Sequence, residues 1–224
     1  MRTRNDLAIV LTRINYGERD RILTMLCKDA GKISVLAKGV RAQKSRLAGG
    51  IELLSESEIS YIDGKSNLKT LTGARLKVHF GSLVKDMARM NRAFSYIKTV
   101  NGVAEEHTGQ DYYPILLSGI SCLSEASRDP RIVDIWFNLQ CLKLAGSEPN
   151  LNLEEAGKAS NFEFNYDLQQ FEASAAGVFT KNDLKLLRLA MVQQKPPKLQ
   201  KELGSEDRLE ALVQSLLRSN LTEV

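Results

Sequence analysis

Residues 37–50, AKGVRAQKSRLAGG, place Lys38, Arg41, Lys44 and Arg46 within nine positions with no acid among them. The chemistry such a cluster can do is phosphate binding. An arginine guanidinium grips two phosphate oxygens at once, and a lysine ammonium acts as a point charge. The apolar run KISVLA leads into the cluster, and Gly49 and Gly50 close it. This reads as a strand that delivers cations to its end, followed by a loop free to move over a flexible polyanion. The surrounding chain shares the bias. Residues 1–46 hold eleven Lys/Arg against four acids, so this part carries +7 of a total of +4, and the remainder is acidic at −3. Lys32, Arg13, Arg19 and Arg21 extend the basic set, and Tyr16 is an aromatic among them. A solvated charged face is the competing reading of such a run.

Other chemistry is scarce. Gly64-Lys65-Ser66 looks like the end of a P-loop, but position 59 is Ile where the motif needs glycine, so a turn is expected. Gly119-Ile-Ser-Cys-Leu123 lacks the last glycine of a nucleophile elbow, and Ser121 and Cys122 read as packing residues of a helix. His79 and His107 have no cysteine or carboxylate at metal spacing. Glu105–Glu106 and Glu154–Glu155 are adjacent pairs, which diverge on a helix. No catalytic residue and no metal ligand is assigned, so an enzyme is not expected.

The elements that must position these residues fall into two groups. The chain of 224 residues is 43% hydrophobic and 26% charged, ordinary values for a globular fold. Residues 1–80 alternate at period two over LAIVLTR (7–13), DRILTMLCK (20–28), GKISVLAKGV (31–40), SEISYI (57–62) and LKTLTGARLKV (68–78). Five short strands in that length predict a small closed barrel. From residue 81 the period becomes 3.6. Helices are predicted over 83–106, 113–126, 130–146, 180–193 and 205–221, with Leu83, Met87, Met90, Phe94, Ile97 and Val100 forming the stripe of the first. Residues 147–178 read as a loop-rich insertion with a short extended pair around FEFNYDLQQFEAS. The class is therefore α+β, with an N-terminal five-stranded barrel over 1–80 and an all-α domain over 81–224.

Cys27, Cys122 and Cys141 are odd in number and far apart, which argues against a disulfide scaffold. The apolar run after Arg2 and Arg4 is too short for a secretory signal, and no stretch approaches a membrane span. A cytoplasmic, nucleoid-associated protein without membrane contact is expected.

With these elements placed, a family resemblance becomes specific. Tyr16-Gly17-Glu18, Asp20-Arg21-Ile22, Gly31-Lys32-Ile33, Lys38-Gly39-Val40-Arg41 and Lys44-Ser45-Arg46 occur in the order and spacing of the amino-terminal domain of the bacterial recombination mediator RecO. LKLAGSEPNL (142–151) resembles the family's Leu-x-x-x-Gly-x-x-Pro-x-Leu signature. The resemblance implies an OB-fold barrel followed by a helical domain. It implies a protein of DNA recombination, repair and the response to DNA damage. Such a protein binds single- and double-stranded DNA, anneals complementary strands, and works with RecR and the C-terminal tail of single-strand binding protein to load RecA. Arg128 and Arg131, near an apolar helix, are the candidates for that acidic tail. Many members carry four zinc-binding cysteines after the signature. Here that stretch is NLEEAGKASNFEF with no cysteine beyond Cys141, so no zinc and no other cofactor is expected. With few aromatics in the barrel, sequence-neutral contact with the phosphate backbone is expected. The alternatives are an OB-fold protein that binds RNA, and an interaction adaptor whose basic loop meets acidic protein tails.

Overall fold

In the computed structural model the alternating segments become β1 (Thr3–Tyr16), β2 (Asp20–Cys27), β3 (Gly31–Ala37), β4 (Ser55–Ile62) and β5 (Lys69–His79). Residues 3–43, 45–64, 67–152, 159–199 and 201–221 are described. The strands close into a barrel in the order β1-β2-β3-β5-β4. This five-stranded barrel is an OB-fold. Its interior is filled by the inward side chains of every strand, among them Val10, Leu23, Met25, Ile33, Val35, Ile59, Tyr61 and Leu71, with Ile51 closing in from the β3–β4 connection. Tyr61 is thus a core residue. Lys65 and Ser66 of the apparent P-loop lie outside the described residues, and Gly64 stands between β4 and β5.

β1 runs twice the length that its apolar stretch predicts, because it serves two partners. Thr3–Ile9 pair with β4, and Ala8–Tyr16 pair with β2. The register shifts between Val10 and Thr12. Such a bulge bends a strand away from one neighbour and toward another.

The chain divides into two compact units, Met1–Ser124 and Glu125–Val224. The first includes α1 (Met87–Val103) and α2 (Tyr112–Ser124) with the barrel. The change of period near residue 80 therefore marks the end of the strands, and the unit continues for two helices. Asp86 caps α1 by accepting the Arg89 N–H, and the residues before it form a 3-10 turn, so the helix starts later than expected. α1 buries Ala93, Tyr96, Ile97 and Val100. Met87 and Phe94 of the predicted stripe are exposed instead. Tyr96 and Ala93 replace them, a rotation of the buried face that a count of aliphatic residues does not register.

The second unit is built on α3 (Pro130–Leu144), whose Val133, Ile135, Trp136, Phe137, Leu139 and Leu142 are buried. Pro130 sits in its first turn, and Asp129 caps it by accepting the Arg131 N–H. α4 (Lys181–Val192) and α5 (Glu206–Leu221) pack on α3. Between α3 and α4 lies a three-stranded antiparallel sheet of β6 (Asn161–Asn165), β7 (Gln170–Ala173) and β8 (Phe179–Thr180), in the order β7-β6-β8. The extended pair read from the sequence is β6–β7; the unit is helical with this small sheet inserted. Among the described residues no helix is long and apolar enough to cross a membrane.

Candidate nucleic-acid interface

The β1–β2 turn and the loop after β3 are fastened to each other. Asp20 Oδ1 accepts the Gly39 N–H at 2.7 Å. The Arg41 N–H donates to the Arg19 carbonyl at 2.9 Å, and Arg41 Nη1 donates to the Gly17 carbonyl at 3.2 Å. These bonds gather Arg19, Lys38 and Arg41 at one end of the barrel. All three are exposed, as is Arg46 further along the loop. Lys44 lies outside the described residues. The loop is also anchored at its far end. Gly50 is buried in a short 3-10 turn, and a Cβ there would stand 2.5–2.7 Å from Ala74. That glycine allows close packing against β5, where the sequence suggested flexibility.

Cross-strand register separates the remaining basic residues. Arg13 pairs with Leu23, and Arg21 pairs with Asn15 on one side and Ala37 on the other. Leu23 and Ala37 point into the barrel, so Arg13 and Arg21 lie on the inward face of the β1–β2 ribbon, beyond the barrel mouth. Both are half-buried and engaged: Arg13 Nη1 bonds Glu52 Oε2 at 2.9 Å, and Arg21 Nε donates to Asn15 Oδ1 at 3.1 Å. Tyr16 lies on the opposite, outward face and is 54% exposed. Lys32 is elsewhere. Its ammonium donates to the carbonyls of Asn101 and Ala104, each at 2.7 Å. It thereby neutralises the negative end of α1, a favourable place for a cation.

Electrostatic pairing distinguishes this end of the barrel. On the β4–β5 side the cations have acids beside them: Arg4 and Lys69 with Asp63, Arg75 with Glu58, Lys77 with Glu56. Arg4 and Lys69 hold the Asp63 carboxyl below the usual range, the Lys69 hydrogen bond contributing most. Among the described residues, Arg19, Lys38, Arg41 and Arg46 have no ion pair. Unneutralised cations on a fixed turn and loop can attract phosphate without first giving up an internal partner.

The barrel coincides with a match to known sequences. Residues 1–80 match the family model described as Recombination protein O N terminal. The DNA repair protein RecO of Heliobacterium modesticaldum is 39% identical over 153 residues, which are 68% of this chain and 55% of that protein. The barrel of this chain matches the RecO family. Family relatives named DNA repair protein RecO also include that of Desulfatibacillum aliphaticivorans, 32% identical over 148 residues (65% of this chain, 57% of that protein). That of Bifidobacterium animalis subsp. lactis is 28% identical over 180 residues (80% and 73%). The matched part thus spans little more than half the length of the first two relatives.

The family's four-thiolate zinc site does not fit the residues present. Cys27, Cys122 and Cys141 are all buried, and burial pushes the thiols of Cys27 and Cys141 far above the usual range. Among the described residues no group of three or more His, Cys, Asp or Glu could hold a metal. Residues 153–158 lie outside the described residues and contain no cysteine. The sheet that follows is filled by Phe164, Phe171 and Phe179, stacked edge to face at 5.0 and 5.3 Å between ring centroids.

The two arginines singled out on the second unit have internal partners. Arg128 bonds Glu125 and the Pro196 carbonyl. Arg131 is chelated by its own cap Asp129 at 2.7 Å and reaches Asp207 at 3.2 Å. A cavity of about 180 Å³ opens beside them, lined by Arg128, Asp129, Ile132, Lys198, Lys201 and Glu202 among others.

Proposed function

We propose that this chain is a DNA-binding protein of repair and recombination, acting by binding and not by catalysis. The observation that carries the reading is the cluster of Arg19, Lys38, Arg41 and Arg46 on one end of an OB barrel, without ion pairs among the described residues, whereas the cations Arg4, Lys69, Arg75 and Lys77 on the β4–β5 side are each paired with an acid. OB barrels track single strands through such positive surfaces. The names of the relatives support repair as the process. In this reading the barrel binds single- and double-stranded DNA through phosphates and anneals complementary strands by screening their mutual repulsion. With RecR, the chain helps exchange single-strand binding protein for RecA. The acidic tail of single-strand binding protein seats in the cavity beside Arg128, where Lys198 and Lys201 supply charge and Ile132 an apolar wall. Lys32, Arg13 and Arg21 serve the fold first, and no zinc takes part.

Titrations with single-stranded DNA, RNA of the same length and an acidic peptide test this. DNA should bind most tightly. Preference for RNA or for the peptide would move the chain to one of the alternative readings. Replacing Lys38, Arg41, Lys44 and Arg46 by Ala should weaken all DNA sequences alike. Each lost contact flattens the slope of log K against log salt by about 0.7 for a single strand, so the four together should remove about 3. Replacing Lys185, Lys195, Lys198 and Lys201 should leave the slope nearly unchanged. Equal losses in both variants would mean that the loop has no special role.

A further inference from the structure

The outward face of β1–β3 is covered at one end and open at the other. Ile9 and Leu26, paired across β1 and β2, face outward and are buried although they lie outside the barrel's interior cluster. α1 packs against β1, and Lys32 beside them on β3 bonds the end of that helix. Two positions toward the turn, Thr12, Thr24 and Ser34 form a row of hydroxyls, with Thr12 Oγ1 bonded to Thr24 Oγ1 at 2.9 Å. Beyond it Ile14, Ile22 and Leu36 form a row of three aliphatic side chains across the three strands. Ile14 is 62% exposed, and Tyr16 next along β1 is 54% exposed. Arg19 in the turn and Lys38 past the end of β3 flank this surface, both exposed.

We infer that the row Ile14–Ile22–Leu36, with Tyr16, is the surface on which unpaired bases lie, so that this end of the barrel selects single strands over duplex. The inference rests on the reading of the barrel as DNA-binding. Aliphatic and aromatic side chains gain by covering the flat faces of bases, and such contact is tolerant of sequence because every base has such a face. In a duplex those faces are stacked on one another and only base edges and phosphates can be touched. Four side chains are far too few for a stable protein interface, which needs on the order of 1,000 Å² in total. They suit one or two bases. The flanking cations have the sign needed for the phosphates on either side, whereas Arg13 and Arg21 face away from the row. The site thus has two parts with separable effects: cations that set affinity for any phosphate chain, and an apolar row that reads whether the bases are free.

Three probes of equal length separate these parts: oligo-dT, an abasic deoxyribose-phosphate strand, and a duplex. The parent should bind oligo-dT more tightly than the abasic strand. Tyr16→Ala should weaken oligo-dT roughly 5- to 100-fold, the range of one lost base stack. Ile14→Ser, at a position exposed enough to leave folding intact, should weaken it in the same direction. Both variants should bind the abasic strand and the duplex within about twofold of the parent, with an unchanged salt slope. An oligo-dT affinity equal to the parent's in both variants overturns the inference while leaving the DNA-binding reading standing. So does an equal loss on all three probes. A parent that binds none of the probes overturns the DNA-binding reading and this inference together.

Discussion

The Tyr113 phenol donates to Glu56 Oε1 at 2.7 Å, and the Lys77 ammonium stands 3.3 Å from the same oxygen. Glu56 lies on β4 and Tyr113 in the first turn of α2, so a carboxylate only 4% exposed ties that helix to the barrel within the first unit. The pair contributes to the alkaline sensitivity of this unit. Burial first, and then the bond to Glu56, raise the Tyr113 phenol well above its usual range. Burial raises Tyr61 as well. An unfolded chain releases these protons near pH 10. The folded state therefore holds protons that the unfolded state has lost, so the phenols make stability fall as pH rises above about 10, adding to the decline that the buried Cys27 thiol begins above about 8.5. Tyr113→Phe should cost roughly 1–3 kcal/mol at neutral pH, because the buried carboxylate loses a donor. It should also make the alkaline decline less steep. Urea midpoints between pH 8 and 11 measure both, and parallel curves for parent and variant would contradict the assignment.

A second prediction concerns Gly31. The chain between α1 and α2 runs alongside β3: the Lys32 N–H donates to the Thr108 carbonyl and the His107 N–H donates to the Lys32 carbonyl, each at 2.8 Å. Gly31 has a φ of +68°, and a Cβ there would collide with the Thr108 backbone. Gly31→Ala should destabilise by more than about 2 kcal/mol, from the left-handed backbone and the collision together. Chemical denaturation reads the loss. A cost below about 0.5 kcal/mol would show that the segment yields freely.

Asp183 carries the third. In α4 it forms a capping box with Thr180, and its other oxygen accepts the Ser205 hydroxyl. The start of α5 and the start of α4 thus share one buried carboxylate. Asp183→Ala should cost about 2–4 kcal/mol by removing a cap and stranding a buried hydroxyl. Thr180→Ala should cost only about 1 kcal/mol. Equal losses would mean that the Ser205 bond contributes nothing.

The fourth concerns metal. The apolar sheet after residue 160 and the lack of thiols there predict zinc far below one per chain by elemental analysis of dialysed, untagged protein. A chelator should leave the melting temperature unchanged, the outcome for a fold in which no metal contributes folding energy. Stoichiometric zinc that survives dialysis would overturn this.

The barrel was legible because its strands alternate, and alternation is a direct image of one buried face. The added length of β1 was not, since Arg4, Asn5 and Asp6 are polar and pair with β4 without contributing to the core. Thr180 at the N-cap of α4 and Pro130 in the first turn of α3 are residue types that favour helix starts wherever they stand. Ser205 stands just before α5, but its hydroxyl bonds Asp183, a partner 22 positions away. The candidate site divides in the same manner. Charge density located Lys38, Arg41 and Arg46. The row of Ile14, Ile22 and Leu36 needs strand register, which no single segment contains. Lys32 looked like part of the basic set because α1 lies some 70 residues further on, and nothing local says that its carbonyls need a cation.

The pairing of residues 105–108 with β3 has a consequence for any attempt to isolate the barrel. A chain cut after residue 80 would leave the Lys32 N–H and C=O bare along an open strand edge. β1, which carries Ile9, would lose the helix packed against it. An apolar, unpaired edge of this sort recruits a second copy of itself. The matched segment alone should therefore self-associate, and the shortest piece that stays monomeric should extend through α2.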